Sequence, residues 1–191
     1  MVTSSQKLTF KEYLNYDDGT NKRYELVAGE LLLMNPPAKR HFNITRLLIK
    51  LFEDEIRRQK LNVEVFAGIG VRTGIDRARI PDISLIDSQE WQKIPDDASA
   101  IIEAPLLLAV EIVSPGKEQI VRDYKEKVVE YENIGIPEYW IVDPVDCKIT
   151  VLILDRGSYT KTEFVAAEEI LSAIFPELKV TAGKILLTER N

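Results

Sequence analysis

The run Leu106-Leu107-Leu108-Ala109-Val110-Glu111-Ile112-Val113 constrains this chain more than any other segment. It is short for a helix and too apolar for an edge strand. It reads as a central strand buried on both faces, which requires covering layers above and below a sheet. One member of the run does not fit. An ionised glutamate in such a strand costs several kcal/mol unless it is paired, bound to a metal or set at the end of the sheet. Read alone, Glu111 is a strand-end group facing water, half of a structural ion pair, or part of a site.

The segments around this strand alternate in period. Thr9-Phe10-Lys11-Glu12 is a capping box opening a short helix through Leu14. Arg23–Val27 and Glu30–Met34 are strands joined at Ala28-Gly29, and Asn35-Pro36-Pro37 stops the second, because proline cannot donate to a ladder. Ile44, Leu47, Leu48, Leu51 and Phe52 recur at three and four residues and predict a helix over 38–60. Strands follow over 62–67, 69–73 and 80–87, a helical turn over 88–93, and a loop over 96–104. Ser114-Pro115-Gly116 leads into a helix over 118–133, with Gly135 as its C-cap residue and Pro137 beyond it. Tyr139–Val142 is a buried strand, and a hairpin turns at Asp155-Arg156-Gly157. Central strands, an intervening helix and antiparallel pairs on either side imply an α/β protein with one mixed sheet flanked by helices.

Three more charges stand where apolar groups belong. Along the helix over 118–133, Ile120, Tyr124, Lys127, Tyr131 and Ile134 share one stripe, so Lys127 points inward or covers the sheet with its stem while the ammonium reaches water. Asp82, after a strand-entry proline, is a turn or cap group or a ligand. Glu25 lies within a short apolar strand and on a wet face if alternation holds. Considered together, the carboxylates and the lysine neutralise one another only if a cation joins them. Oxygen ligands of this kind suit Mg²⁺ or Mn²⁺. A cation so held beside a lysine suits attack of water on a phosphoryl group.

These segments resemble the PD-(D/E)XK nuclease superfamily and, within it, the Uma-type restriction endonuclease family. The resemblance spans roughly residues 8 to 165. It is carried by Tyr24-Glu25-Leu26-Val27-Ala28-Gly29-Glu30, Arg79-Ile80-Pro81-Asp82 and Val110-Glu111-Ile112-Val113-Ser114-Pro115. Asp123, Lys127, Tyr131 and the run Gly135-Ile136-Pro137-Glu138-Tyr139-Trp140-Ile141-Val142-Asp143 complete it. It implies a restriction-endonuclease-like mixed β-sheet flanked by helices, in one domain over residues 1–191. It further implies Mg²⁺- or Mn²⁺-dependent hydrolysis of DNA, leaving 5′-phosphate and 3′-hydroxyl ends. By resemblance, Asp82 and Glu111 ligate the metal, with the Ile112 carbonyl as a further ligand. Lys127 positions the attacking water, and Glu25 is a supporting acid. The superfamily lysine stands two residues after the second acid, where this chain has Val113, and the family supplies it from the following helix.

Composition limits the alternatives. The 191 residues are 45% hydrophobic and 29% charged, with a net charge of −6, which excludes disorder as a description of the whole and argues against a generic nucleic-acid coat. The single cysteine, Cys147, and single histidine, His41, exclude cysteine clusters and multi-histidine metal sites. His41 suits a phosphate contact or a buried hydrogen bond and stays outside the predicted site. With no apolar run of membrane length and no signal-like N-terminus, a cytoplasmic protein with no membrane association is expected. Residues 39–60 carry a balance of +4 against −10 elsewhere. Lys39, Arg46, Lys50 and Arg57 lie on one stripe opposite the core, either a solvated face or a grip on a DNA backbone. Cutting both strands suits a two-fold homodimer. A non-catalytic binding module on the same fold and a nuclease acting on RNA or branched DNA are the rivals.

Overall fold

The computed structural model describes residues 7–187. The elements in chain order are α1 (Phe10–Leu14), β1 (Tyr24–Val27), β2 (Glu30–Leu33), α2 (Lys39–Gln59), β3 (Val63–Phe66), β4 (Gly70–Gly74), β5 (Arg77–Arg79), β6 (Ile83–Asp87), α3 (Ser88–Gln92), β7 (Ile101–Ile102) and β8 (Leu108–Ile112). Next come α4 (Lys117–Val121), a π-helical turn (Arg122–Glu126), α5 (Lys127–Ile134), β9 (Glu138–Asp143), β10 (Lys148–Asp155), β11 (Ser158–Val165) and α6 (Ala182–Leu186).

The class is α/β with mixed sheets, as the sequence implies, but the strands divide between two sheets rather than one. The larger has the order β11-β10-β9-β8-β6-β3, with β8 and β9 parallel. The smaller has the order β2-β1-β5-β4-β7, with β4 and β7 parallel. Two strands of the smaller sheet escape the sequence reading. Arg77-Ala78-Arg79 falls between the predicted strands over 69–73 and 80–87, where no element is expected, and Ile101-Ile102 lies within the predicted loop.

The alternation of β8 sorts its side chains onto two faces. Leu108, Val110 and Ile112 enter the core under α2, with Ile44, Leu48, Phe52, Trp140 and the C-terminal Phe175 and Ile185. Ala109 and Val113 face the other way, into the core shared with Tyr131 of α5, Tyr139, Ile141 and Val71 of the smaller sheet. Glu111 lies between Ala109 and Val113 in this alternation and therefore faces α5. At the β1–β2 turn, Ala28 (φ 51°) and Gly29 (φ 81°) are both left-handed, the pairing a tight two-residue hairpin requires. Among the described residues, no helix is long and apolar enough to cross a membrane.

Candidate active site

The site forms where α5 crosses the end of β8, between the two sheets. The Lys127 Nζ lies 2.8 Å from Glu111 Oε1, 3.3 Å from Glu25 Oε1 and 3.7 Å from Asp123 Oδ1. All four side chains are buried. The lysine points inward, as its stripe predicts, and does not snorkel. Tyr131, one turn further along α5, donates its hydroxyl to the same Glu111 oxygen at 2.8 Å. Both bonds fall on Oε1, so Oε2 is the oxygen left over.

The π-helical turn explains a departure from the predicted stripe. It adds a residue to one helical turn, which rotates α4 against α5. Ile120 leaves the line of Lys127 and is 38% exposed. Asp123, within the turn, stays on the inward face, where Arg122 Nε donates to it at 2.9 Å and its own carbonyl accepts from Tyr139.

Asp82 stands between β5 and β6, and β6 pairs with β8 through Ile83 and Val110. That pairing sets Asp82 beside the Glu111 end of β8, where Asp82 Oδ2 accepts from the Ile112 N–H at 2.7 Å. His41 Nε2 lies 3.0 Å from the same oxygen and donates to it. His41 Nδ1 is buried without a hydrogen-bond partner among the described residues. Sequence reasoning left His41 out. Its place on the apolar side of α2 was the available signal, because that side lies over the sheet end that carries Asp82.

Glu25 is held by protein groups on both oxygens. Oε1 accepts from the Ile80 N–H at 3.0 Å, and Oε2 accepts from Arg79 at 3.1 Å. Arg79 is fully buried and makes a two-pronged contact with Glu130 of α5, Nε to Oε2 at 2.9 Å and Nη2 to Oε1 at 2.6 Å. Thr73 and Arg77 add hydrogen bonds to Glu130. This network ties the smaller sheet to the helix that carries Lys127 and fixes the chain immediately before Asp82. Such a planar two-pronged pair specifies geometry as well as charge. Sequence reasoning did not single out Arg79 or Glu130 as site residues.

The electrostatics separate the two buried glutamates. Burial raises the Glu25 carboxyl, but Lys127, Arg79 and the Ile80 N–H outweigh it and hold the group at about 2. Burial also raises Glu111, and there it prevails over Lys127, with Asp82, Asp123 and Glu25 adding to it, so the group is pushed up to about 8. Burial acts to discharge Lys127, but Glu111, Glu25 and Asp123 more than reverse this, and the ammonium stays charged. Among the described residues, no group of three or more His, Cys, Asp and Glu side chains could hold a metal ion. Asp82 and Glu111 each keep one carboxylate oxygen clear of protein hydrogen bonds among the described residues.

A mixed sheet with carboxylates at the adjoining ends of two neighbouring strands and a lysine above them defines a restriction-endonuclease-like α/β protein. The chain belongs to the Uma2 family, described as "Putative restriction endonuclease", whose profile matches residues 10–183. The fold is similar to a crystal structure described as a putative nuclease belonging to DUF820 from Anabaena variabilis ATCC 29413. The TM-score is 0.75 at 16% identity, over 95% of this chain and 98% of the other. No curated protein matches the chain. Family membership supports nuclease function.

Proposed function

We propose that this protein is a divalent-metal-dependent endonuclease that hydrolyses phosphodiester bonds in DNA. The observation that carries this reading is the 2.8 Å approach of Lys127 to Glu111, with Asp82 bonded to the next residue of the same strand. The free oxygens of Asp82 and Glu111 are hard donors that fit Mg²⁺ or Mn²⁺, and the Ile112 carbonyl is a third. Two carboxylates match the way Mg²⁺ is usually held, with substrate phosphate and water completing the shell. Bound there, the ion would polarise a phosphoryl oxygen and lower the pKa of a bound water.

The protein's own groups supply the rest. Lys127, kept charged by its neighbours, donates a hydrogen bond to the attacking water and offsets charge gathering on the phosphate. Glu25 positions that ammonium, because its two oxygens are themselves fixed by Arg79 and Ile80. His41 restrains Asp82 by occupying Oδ2, which leaves Oδ1 for the ligand.

The test is purified protein with plasmid and Mg²⁺, beside Asp82→Ala and Lys127→Ala. Cleavage by the wild type and its loss in both variants is the expected result. Equal cleavage by all three would place the activity elsewhere. A second reading is a binding module that no longer cuts. It is favoured by the valine at position 113 and by the three carboxylates already surrounding Lys127.

A further inference from the structure

Two exposed hydrophobic side chains flank the site, and a stiff connection joins them. Leu32 is the cross-strand partner of Glu25 in the β1–β2 ladder, so the two side chains leave the same face of the hairpin. Glu25 is buried there, while Leu32 is 43% exposed. Phe42 follows His41 and is 61% exposed. His41 turns inward to Asp82, and Phe42 is rotated from it by about 100° onto the outer face of α2. Between these ends lies the exposed stretch Asn35-Pro36-Pro37-Ala38, while Leu33 alternates onto the opposite face of the hairpin. The two prolines have fixed φ and no N–H, so this connection has little freedom.

Single exposed hydrophobics are ordinary on a protein surface. Here two stand at the ends of one short connection, Leu32 beside Glu25 and Phe42 beside the His41 that holds Asp82. The charge beside them is just as specific. Arg46, Lys39 and Lys50 lie about 40°, 60° and 80° around α2 from Phe42, on the same outer stripe. All three are exposed, and among the described residues none has a carboxylate within ion-pair distance. Arg57, at the far end of the stripe, is paired with Asp54. Cations spaced along one face match the phosphates of a nucleic-acid backbone. Aromatic and aliphatic faces beside them match nucleobases, but only bases lifted out of their stack.

We propose that Leu32 and Phe42 contact unstacked bases next to the phosphate held at the site, so that the favoured substrate is DNA with unpaired or locally opened bases. This rests on the nuclease reading only in taking Asp82 and Glu111 to mark where the phosphate lies. The α2 stripe holds the backbone, and the rim from Leu32 to Phe42 reads whether the bases are free.

The test measures binding, so that cleavage is not needed to read it. Fluorescently labelled DNA of one sequence is prepared as a perfect duplex and as a duplex with a central unpaired loop. Affinities are measured by anisotropy in EDTA for the wild type, Leu32→Ala/Phe42→Ala and Lys50→Ala. Base stacking on a side chain gives a preference of roughly tenfold or more. The wild type should favour the looped duplex by that factor, and the double variant should bind both forms about equally. Lys50→Ala should weaken both without changing their ratio. Equal affinities in the wild type, an unchanged ratio in the double variant, or binding to neither DNA overturns the proposal. Parallel digestion with Mn²⁺ separates the two readings. Selective binding without cleavage sinks the hydrolase and leaves the rim, whereas unselective binding with cleavage does the reverse.

Discussion

Lys127 Nζ and Glu111 Oε1, from α5 and from the end of β8, meet at 2.8 Å in a buried setting, with Glu25 and Asp123 around the same ammonium. Removing one partner of such a pair leaves charge buried without compensation, which costs more than the pair contributes. Lys127→Met should therefore destabilise the protein by about 3–5 kcal/mol in urea unfolding. Adding Glu25→Gln to it should recover part of that loss, because the carboxylate held ionised beside the ammonium is gone. Additive losses in the double variant would show that the two groups are energetically independent.

Glu25 and Glu111 make the stability of the metal-free protein depend on pH in opposite senses. Glu25 is held at about 2 against its usual 4.5. Its contribution is complete above the usual value and disappears as pH falls toward the lower one; a shift of that size is worth on the order of 3 kcal/mol. Glu111 is pushed up to about 8 from the same 4.5. A carboxyl raised in the folded state stabilises the protein below its usual value, and that stabilisation is lost as pH rises through the folded one. Urea midpoints should thus fall at both ends of the range from about pH 3 to about pH 8. Glu25→Gln should flatten the acid side, and Glu111→Gln the neutral side. A Glu111→Gln protein whose stability still declines above its acid plateau would contradict the assignment.

Much of this arrangement is legible in the sequence because it depends on local pattern. The apolar run around Glu111 announces a central strand, and period two then turns Glu111 toward the helix. The stripe through Lys127 and Tyr131 announces the inward lysine. What is not legible depends on partners brought together by the fold. Arg77-Ala78-Arg79 carries the signature of a surface segment, and only Glu25 and Glu130, from distant segments, make Arg79 a buried group. His41 acquires its role only when α2 lies across the end of the sheet. The π-helical turn has no periodic signature, so the predicted stripe runs straight through it to Ile120. The C-terminal region is illegible for a related reason. It is mostly irregular, yet Ile170, Phe175, Leu178 and Val180 belong to the main core.

Glu138 holds that C-terminal region in place. Fully buried at the start of β9, it accepts from the Ala173 N–H at 2.7 Å, the Ile174 N–H at 2.9 Å and the Trp140 indole at 2.5 Å. Truncation strands three donors, and a buried unsatisfied donor costs about 1–3 kcal/mol. Glu138→Ala should lower stability by roughly 3–5 kcal/mol by this reasoning, with loss of hydrogen-exchange protection concentrated at residues 170–180. Glu138→Gln keeps an acceptor and should cost less. Protection lost evenly along the chain would mean that the carboxylate does not act as a local clamp.

Metal titration separates the residues that hold a cation from those that position the lysine. If Asp82 and Glu111 bind Mn²⁺, the ion stabilises the folded state by mass action, about 2.7 kcal/mol at a hundredfold excess over Kd, and raises Tm accordingly. Asp82→Asn should abolish most of that rise. His41 touches only the Asp82 carboxylate among the site's acids, and loss of such a supporting partner typically weakens metal affinity by about 10- to 100-fold. His41→Ala should therefore shift the Mn²⁺ titration to higher concentration without removing its plateau. Glu25 has both oxygens committed to protein donors. Glu25→Gln should accordingly leave the metal-induced Tm rise near its wild-type size while slowing cleavage, because Lys127 loses one of its three fixed neighbours. A Glu25→Gln protein that no longer responds to Mn²⁺ would make Glu25 a ligand and would reassign the site around it.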